Sequence, residues 1–441
     1  YDMNSELRKI SKTAFYYTSI ETITVPSTAE LKSAFQNSIN KNNIKIQTIP
    51  NKRQKIICYE DKFILGKTDP ESDIYDILIS VDKDIETVTI PHFIRKISLY
   101  SFSCSSVSSI TIPQHVTKIC HQAFNYCINL KKIEFEKNSE LKIIGSDAFS
   151  YAQIESITIP ASVTHICNSD FSQNPKLKQI DFEPNSELQF IGAHAFPSSP
   201  AVNISLPTGI EKFEDGWIQN SLINIVALIP SKKQNIINYE DTFILGKSDL
   251  NKDEYDVIIL AITKKETVVI PPFIKKISSN AFSDNCYVKK VIISPHVKEI
   301  GSDAFFQCEE LQVVEFQQNS ELQIIGKNAF IRTNINRVFI PPSVIEIGES
   351  AFYECDNLQL VEIPSNSQLQ IIGKESFSGS QIRRIFIPQH VKVICEEVFA
   401  IHELEVVVFH PLSELQVICR GAFARTSIKS ILIPPHVQKI G

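Results

Sequence analysis

Ten cysteines, ten histidines and a Tyr-Glu-Asp triplet that occurs twice are the residues of this 441-residue chain whose types could do chemistry. Thiols can pair, ligate zinc or act as nucleophiles. Their placement argues for none of these. No Cys-x-x-Cys occurs. Cys127, Cys308 and Cys355 each stand three residues after a Phe, and Cys120, Cys167, Cys395 and Cys419 each follow an Ile where Gly recurs elsewhere. Such recurrence marks small buried packing residues. His115, His296, His390 and His436 each precede a Val, as Ser162 and Ser343 do elsewhere, so the position reads as a solvated turn and not as a metal ladder. Tyr59-Glu60-Asp61 and Tyr239-Glu240-Asp241 would be the only candidate catalytic site, and the same residue types make turns. No phosphate-cradling Gly loop, Gly-x-Ser-x-Gly or His-Glu-x-x-His is present. The expectation is a non-enzyme with no cofactor and no metal. Asn203-Ile204-Ser205 is the single glycosylation sequon.

What positions these residues is a repeat. Phe102, Phe124, Phe149, Phe171 and Phe196 are spaced 22, 25, 22 and 25 apart, and Trp217 follows. The series resumes at Phe282 and runs through Phe305, Phe330, Phe352, Phe377 and Phe399 to Phe423. Phe15 and Phe35 open the chain in the same way. Two units alternate: a Pro form such as Ile154–Phe171, and a longer form such as Leu130–Phe149, whose extra residues lie in an Asn-Ser-Glu-Leu loop. Units this short cannot bury a core alone and must stack. Runs such as IESITI alternate as strands do, Pro160 or Pro388 ends each ladder, and Phe fills the interior. The stack is expected to be a rod of about 70 Å with a parallel sheet on one side. Residues 44–90 and 224–270 are alike at an offset of 180 and read as two inserted β-hairpins with a return strand. The expected organisation is repeats over 1–43, insert 44–90, repeats 91–223, insert 224–270 and repeats 271–441.

Composition narrows the function classes. Basic residues number 44 and acidic residues 50, giving a net charge of −6, which argues against a nucleic-acid partner. No apolar run reaches the roughly 18 to 20 residues that span a bilayer, so no membrane insertion is expected for this segment. The informative surface is the outward side of the strands. In the first array it is polar: Lys132 and Glu134, Ser156 and Thr158, Gln179 and Asp181. In the second array it turns apolar, with Arg337 and Phe339, Leu360 and Glu362, Arg384 and Phe386, Val406 and Val408, and then Ser430 and Leu432. Apolar side chains beside Arg have the composition of interface hot spots. The candidate protein-binding residues are therefore Arg337, Phe339, Leu360, Glu362, Arg384, Phe386, Val406 and Val408. The alternatives are self-association, cover by a flanking insert, or strand propensity alone.

The pattern ITIPQHVTKICHQAFNYCINLKKI at 110–133 resembles the BspA-like, treponemal-type leucine-rich repeat. Alternation with the Asn-Ser-Glu-Leu form is similar to families of trichomonad-type protists. The resemblance covers nearly the whole chain. It implies an α/β-type solenoid, a right-handed leucine-rich-repeat coil with a parallel β-sheet on one face and few regular helices. It also implies adhesion to proteins of host cells, matrix or other microbes, from the cell surface or after secretion. An intracellular, cytoplasmic interaction scaffold is the alternative. The repeats run to Lys439-Ile440-Gly441 without a polar cap, and the expectation is a segment of a longer protein.

Overall fold

The computed structural model describes residues 22–26, 45–49, 56–196, 202–217 and 223–441. Phe15 and Phe35 lie outside the described residues, as do most of segment 1–43 and residues 44 and 50–55 of segment 44–90. The chain divides between Gln234 and Asn235 into two compact units.

In each unit the Phe series forms one internal column. Ring centroids from Phe102 to Phe196 follow one another at 4.6, 5.3, 5.7 and 6.4 Å, with interplanar angles of 17° or less. Trp217 closes this column edge-on to Phe196, at 6.0 Å. From Phe282 to Phe423 six successive stacks lie between 4.5 and 5.8 Å. Gaps of 22 and 25 give the same stack because the extra residues bulge out locally. Asn138, Asn185 and Asn319 take the left-handed conformation, which Asn tolerates. In the same loops the hydroxyls of Ser139, Ser186, Ser320, Ser367 and Ser413 each accept from the N–H two residues on. That turn drives Leu141, Leu188, Leu322, Leu369 and Leu415 into the core.

Two layers of strands flank each column, the first of them split into separately bonded sheets. One is made of strands of three to seven residues, among them Ser109–Ile112 and Lys132–Phe135 in the first unit, and Arg337–Phe339 and Leu360–Glu362 in the second. Their neighbours pair in parallel, and residues alternate outward and inward. The other sheet consists mostly of two-residue strands, Lys96–Ile97 to Lys212–Phe213 and Lys276–Ile277 to Lys439–Ile440, also parallel. Each two-residue sheet opens with an antiparallel meander: Ile56–Tyr59, Phe63–Gly66 and Ile77–Val81, and likewise Ile236–Tyr239, Phe243–Gly246 and Val257–Ala261. Because Ile77–Val81 and Val257–Ala261 then pair in parallel with Lys96–Ile97 and Lys276–Ile277, the meanders begin these sheets. The strand order does not single them out as inserted hairpins.

No helix occurs among the described residues, so the α/β-type expectation is corrected to an all-β solenoid. The arc around each Phe explains why. Residues two before and two after it are left-handed: Gln122 and Tyr126 around Phe124, Asp303 and Gln307 around Phe305, Ser350 and Glu354 around Phe352. A helix cannot propagate through them. Backbone N–H groups instead alternate their partners. Ala123, Asn125 and Cys127 donate to carbonyls three residues back, while Gln122, Phe124 and Tyr126 donate to Ser146, Ala148 and Ser150 of the next coil. The arc thus becomes a third ladder, and no buried amide is left without a partner there.

Candidate functional site

The eight residues singled out from the sequence lie where the period-2 pattern puts them, outward on the longer strands of the second unit. Arg337 and Phe339 sit beside Leu360 and Glu362 in register. Arg384 and Phe386 sit beside Val406 and Val408. Their inward neighbours Val338, Val361 and Ile385 are buried. The two pairs of strands belong to separately bonded sheets, and Leu360–Glu362 and Arg384–Ile387 still lie side by side. Phe339, Leu360 and Val406 are 45%, 44% and 41% exposed, which leaves broad apolar area facing water. Phe386 and Val408 are only half-buried. The Phe386 ring leans edge-on toward His410 at 6.3 Å and packs against the core margin. The apolar column stops at Val408: Leu432, 88% exposed, stands on no strand. On the earlier strands Lys290 and Glu315 form an ion pair at 2.7 Å, so charge borders the apolar stretch.

The chemistry-bearing residues take structural places. All ten cysteines are free thiols. The sulfurs of Cys127, Cys308 and Cys355 donate to the carbonyls of Phe102, Phe282 and Phe330, one coil back, at 3.1, 2.9 and 3.0 Å. Burial pushes the Cys127 and Cys355 thiols up to about 11, and that of Cys308 higher still. The buried column is therefore protonated and unreactive. Histidines 115, 296 and 390 are solvated as expected, but each is also paired. Their Nδ1 atoms lie 3.0, 3.1 and 3.0 Å from Glu140, Glu321 and Glu414 of the next coil, the first two in Asn-Ser-Glu-Leu loops and the third in a Leu-Ser-Glu-Leu loop. Among the described residues no three His, Cys, Asp or Glu side chains converge as a metal site would require. Tyr59-Glu60-Asp61 and its copy form the turn of each meander. Glu60 and Asp61 both have φ of 52°, and Glu240 and Asp241 have φ of 50° and 49°, as in the primed turns that suit hairpin twist. Glu60 and Asp61 are exposed and project away from the core.

A second apolar stripe escaped the sequence reading. On the two-residue sheet of the second unit Ile324, Ile371 and Val393 face outward at 38%, 46% and 36% exposure. The signal was the doublet Ile-Ile or Val-Ile ahead of Gly or Cys. Only its second member is buried.

Comparison with known proteins follows this geometry. Among curated proteins no sequence matches significantly. The pneumococcal vaccine antigen PcpA superposes with a TM-score of 0.58 at 19% identity, covering 87% of this chain and 93% of that one. A leucine-rich cell surface protein of Faecalibacterium prausnitzii gives 0.55 at 19% identity, over 82% and 94%. A leucine-rich repeat protein of Eubacterium ventriosum gives 0.54 at 17% identity, over 76% and 81%. These likenesses concern the fold. The family model described as BspA type leucine-rich repeat region matches in six copies, over residues 1–60, 95–226, 261–359 and 323–441. The unmatched stretches hold most of the two meanders. With stacked Phe coils observed from Phe102 to Phe196 and from Phe282 to Phe423, and the family model matching most of the chain, the chain belongs to the BspA-type leucine-rich repeat family.

Proposed function

We propose that the second unit is a non-catalytic protein-binding module, displayed at a cell surface, that engages a protein of a host cell, matrix or neighbouring microbe. The observation that carries this reading is that Phe339, Leu360 and Val406 are each more than 40% exposed on the outward side of the longer strands, with Leu360 beside Arg337 and Val406 beside Arg384 in register. Exposed apolar side chains on one face are costly to leave wet, and Arg with aromatic anchors is the composition that concentrates binding energy. The equivalent strand positions of the first unit, Ser156 and Thr158, are polar, so apolar outward residues are not a demand of the fold. Surface display is supported by the family, and by two fold neighbours described as a vaccine antigen and a cell surface protein.

The test substitutes only exposed side chains, Phe339→Ser, Leu360→Ser and Val406→Ser together, and leaves half-buried Phe386 intact. Binding to intact host cells and to immobilised matrix proteins is measured beside sedimentation velocity. Loss of about thirtyfold in affinity, with melting unchanged, is expected for hot-spot truncation. Unchanged binding contradicts the reading. A wild-type dimer that the triple variant converts to monomer makes the column a contact between copies and equally removes it.

A further inference from the structure

The first unit carries a concave site of a different chemical character. A cleft of about 470 Å³ lies against the outer face of strands Thr87–Thr89, Ser109–Ile112 and Lys132–Phe135, walled on one side by the Glu60–Phe63 turn. That volume falls in the range of small-ligand pockets. Its floor is a grid set by strand register. Thr87 lies beside Ser109 and Thr89 beside Thr111, and all four residues are exposed. The third strand adds Lys132 and Glu134, in ion contact at 2.6 Å. The wall adds Glu60 and Lys62.

Two facts decide the class of ligand. The charged groups cancel, with two ammoniums against two carboxylates, so the cleft selects neither a polyanion nor a polycation. Its hydroxyls each donate and accept, and its carboxylates accept strongly, which matches a ligand whose own groups do both. Ile110 is buried beneath the floor, and half-buried Val88 and buried Phe63 add only a small apolar share to the lining. The second unit supplies a comparison within the same chain. Its strands Thr267–Val269, Lys290–Ile293 and Val313–Phe316 repeat the inward residues as Val268, Val291 and Val314. Of its outward residues Thr267 and Glu315 repeat Thr87 and Glu134, but Val269 stands for Thr89, Lys290 for Ser109, Ile292 for Thr111 and Val313 for Lys132, so three of the four hydroxyls are lost. The scaffold is kept and the hydroxyl grid is not, so the grid is no requirement of the fold.

We propose that this cleft binds a neutral oligosaccharide, with the four hydroxyls and the Glu60 and Glu134 carboxylates hydrogen-bonding its sugar hydroxyls. This site is separate from the apolar column of the second unit. The test uses the full chain and saturation-transfer NMR, with titration calorimetry on any binder. The probes are lactose, maltotriose, cellotriose, N,N′-diacetylchitobiose, heparin and a random peptide library. Thr89→Val with Thr111→Val keeps side-chain shape on an exposed face and should fold, which melting checks. At least one neutral sugar is expected to bind and to weaken about tenfold or more in that variant, two hydrogen bonds being lost. Glu134→Gln is expected to weaken it as well. The Phe339→Ser, Leu360→Ser, Val406→Ser chain is expected to bind it unchanged. Binding of no neutral sugar, binding indifferent to Thr89→Val/Thr111→Val, or response to heparin or peptides alone overturns the assignment.

Discussion

Phe330→Ala removes one ring from the middle of the second column. Phe330 is fully buried and lies between Phe305, at 5.0 Å and 7°, and Phe352, at 5.2 Å and 10°. Truncating a buried Phe to Ala costs about 3–5 kcal/mol. Two ring–ring contacts are lost at once, each worth about 0.5–1.5 kcal/mol beyond area, so the upper part of that range applies. Phe330→Leu keeps most of the volume and loses the stacking, for an expected cost of about 1–3 kcal/mol. Urea unfolding followed by far-UV circular dichroism reads both variants. With a slope of about 3 kcal/mol per molar, the Ala variant should move the midpoint down by more than about 1 M. Because coils contact only their neighbours, the gap should also uncouple the coils on either side and broaden the transition. A shift below about 1 kcal/mol without broadening would show that the ring is not part of a continuous interior.

Three further outcomes follow from individual residues. Cys127, Cys308 and Cys355 should resist iodoacetamide until the chain unfolds, while exposed Cys58 and Cys286 react first; mass spectrometry of timed samples checks the order. Asp170 occupies the place of the recurring Ala, is fully buried, and has its carboxyl held well above the usual range by burial. Its contribution to stability is present below the unfolded value near pH 3.9 and is lost as pH rises through the raised folded value. Asp170→Ala should therefore flatten that decline, while also removing the carboxyl that accepts from the Cys167 N–H at 2.6 Å and the Ala148 N–H at 3.4 Å; melting across pH reads it, and an unchanged decline in the variant would mean the carboxyl is not desolvated. At Gly373 an added Cβ would lie 2.4 Å from the Glu349 nitrogen and 2.5 Å from the Gly348 carbonyl carbon of the preceding coil. Gly373→Val should cost about 1–3 kcal/mol by overpacking, and neutrality in thermal melts would place the coils further apart.

What was legible in the sequence is what a single coil encodes. The Phe spacing dictates the column, alternation around Val338 and Val361 dictates which residues face out, and Asn138 with Ser139 marks the loop that absorbs the longer gap. What was not legible depends on the neighbouring coil. The Ala-Phe arc could pass for the start of a helix until Ser146 and Ala148 of the next turn claim its amides. The two-residue strands are too short for any period to register. His115 reads as an isolated turn residue because its partner, Glu140, arrives one coil later. The first unit's hydroxyl grid is not singled out by the sequence, since nothing in Thr87 or Ser109 alone announces that the Glu60–Phe63 turn rises beside them.

The account stands on rings stacked one coil apart. Selective ring protonation of Phe in a deuterated chain, with assignment by single Phe→Leu variants, lets nuclear Overhauser contacts be traced from ring to ring. The predicted result is an unbranched series from Phe282 through Phe305, Phe330, Phe352, Phe377 and Phe399 to Phe423, linking residues 22 to 25 apart. Contacts that skip positions, or rings that contact water and not each other, would contradict it.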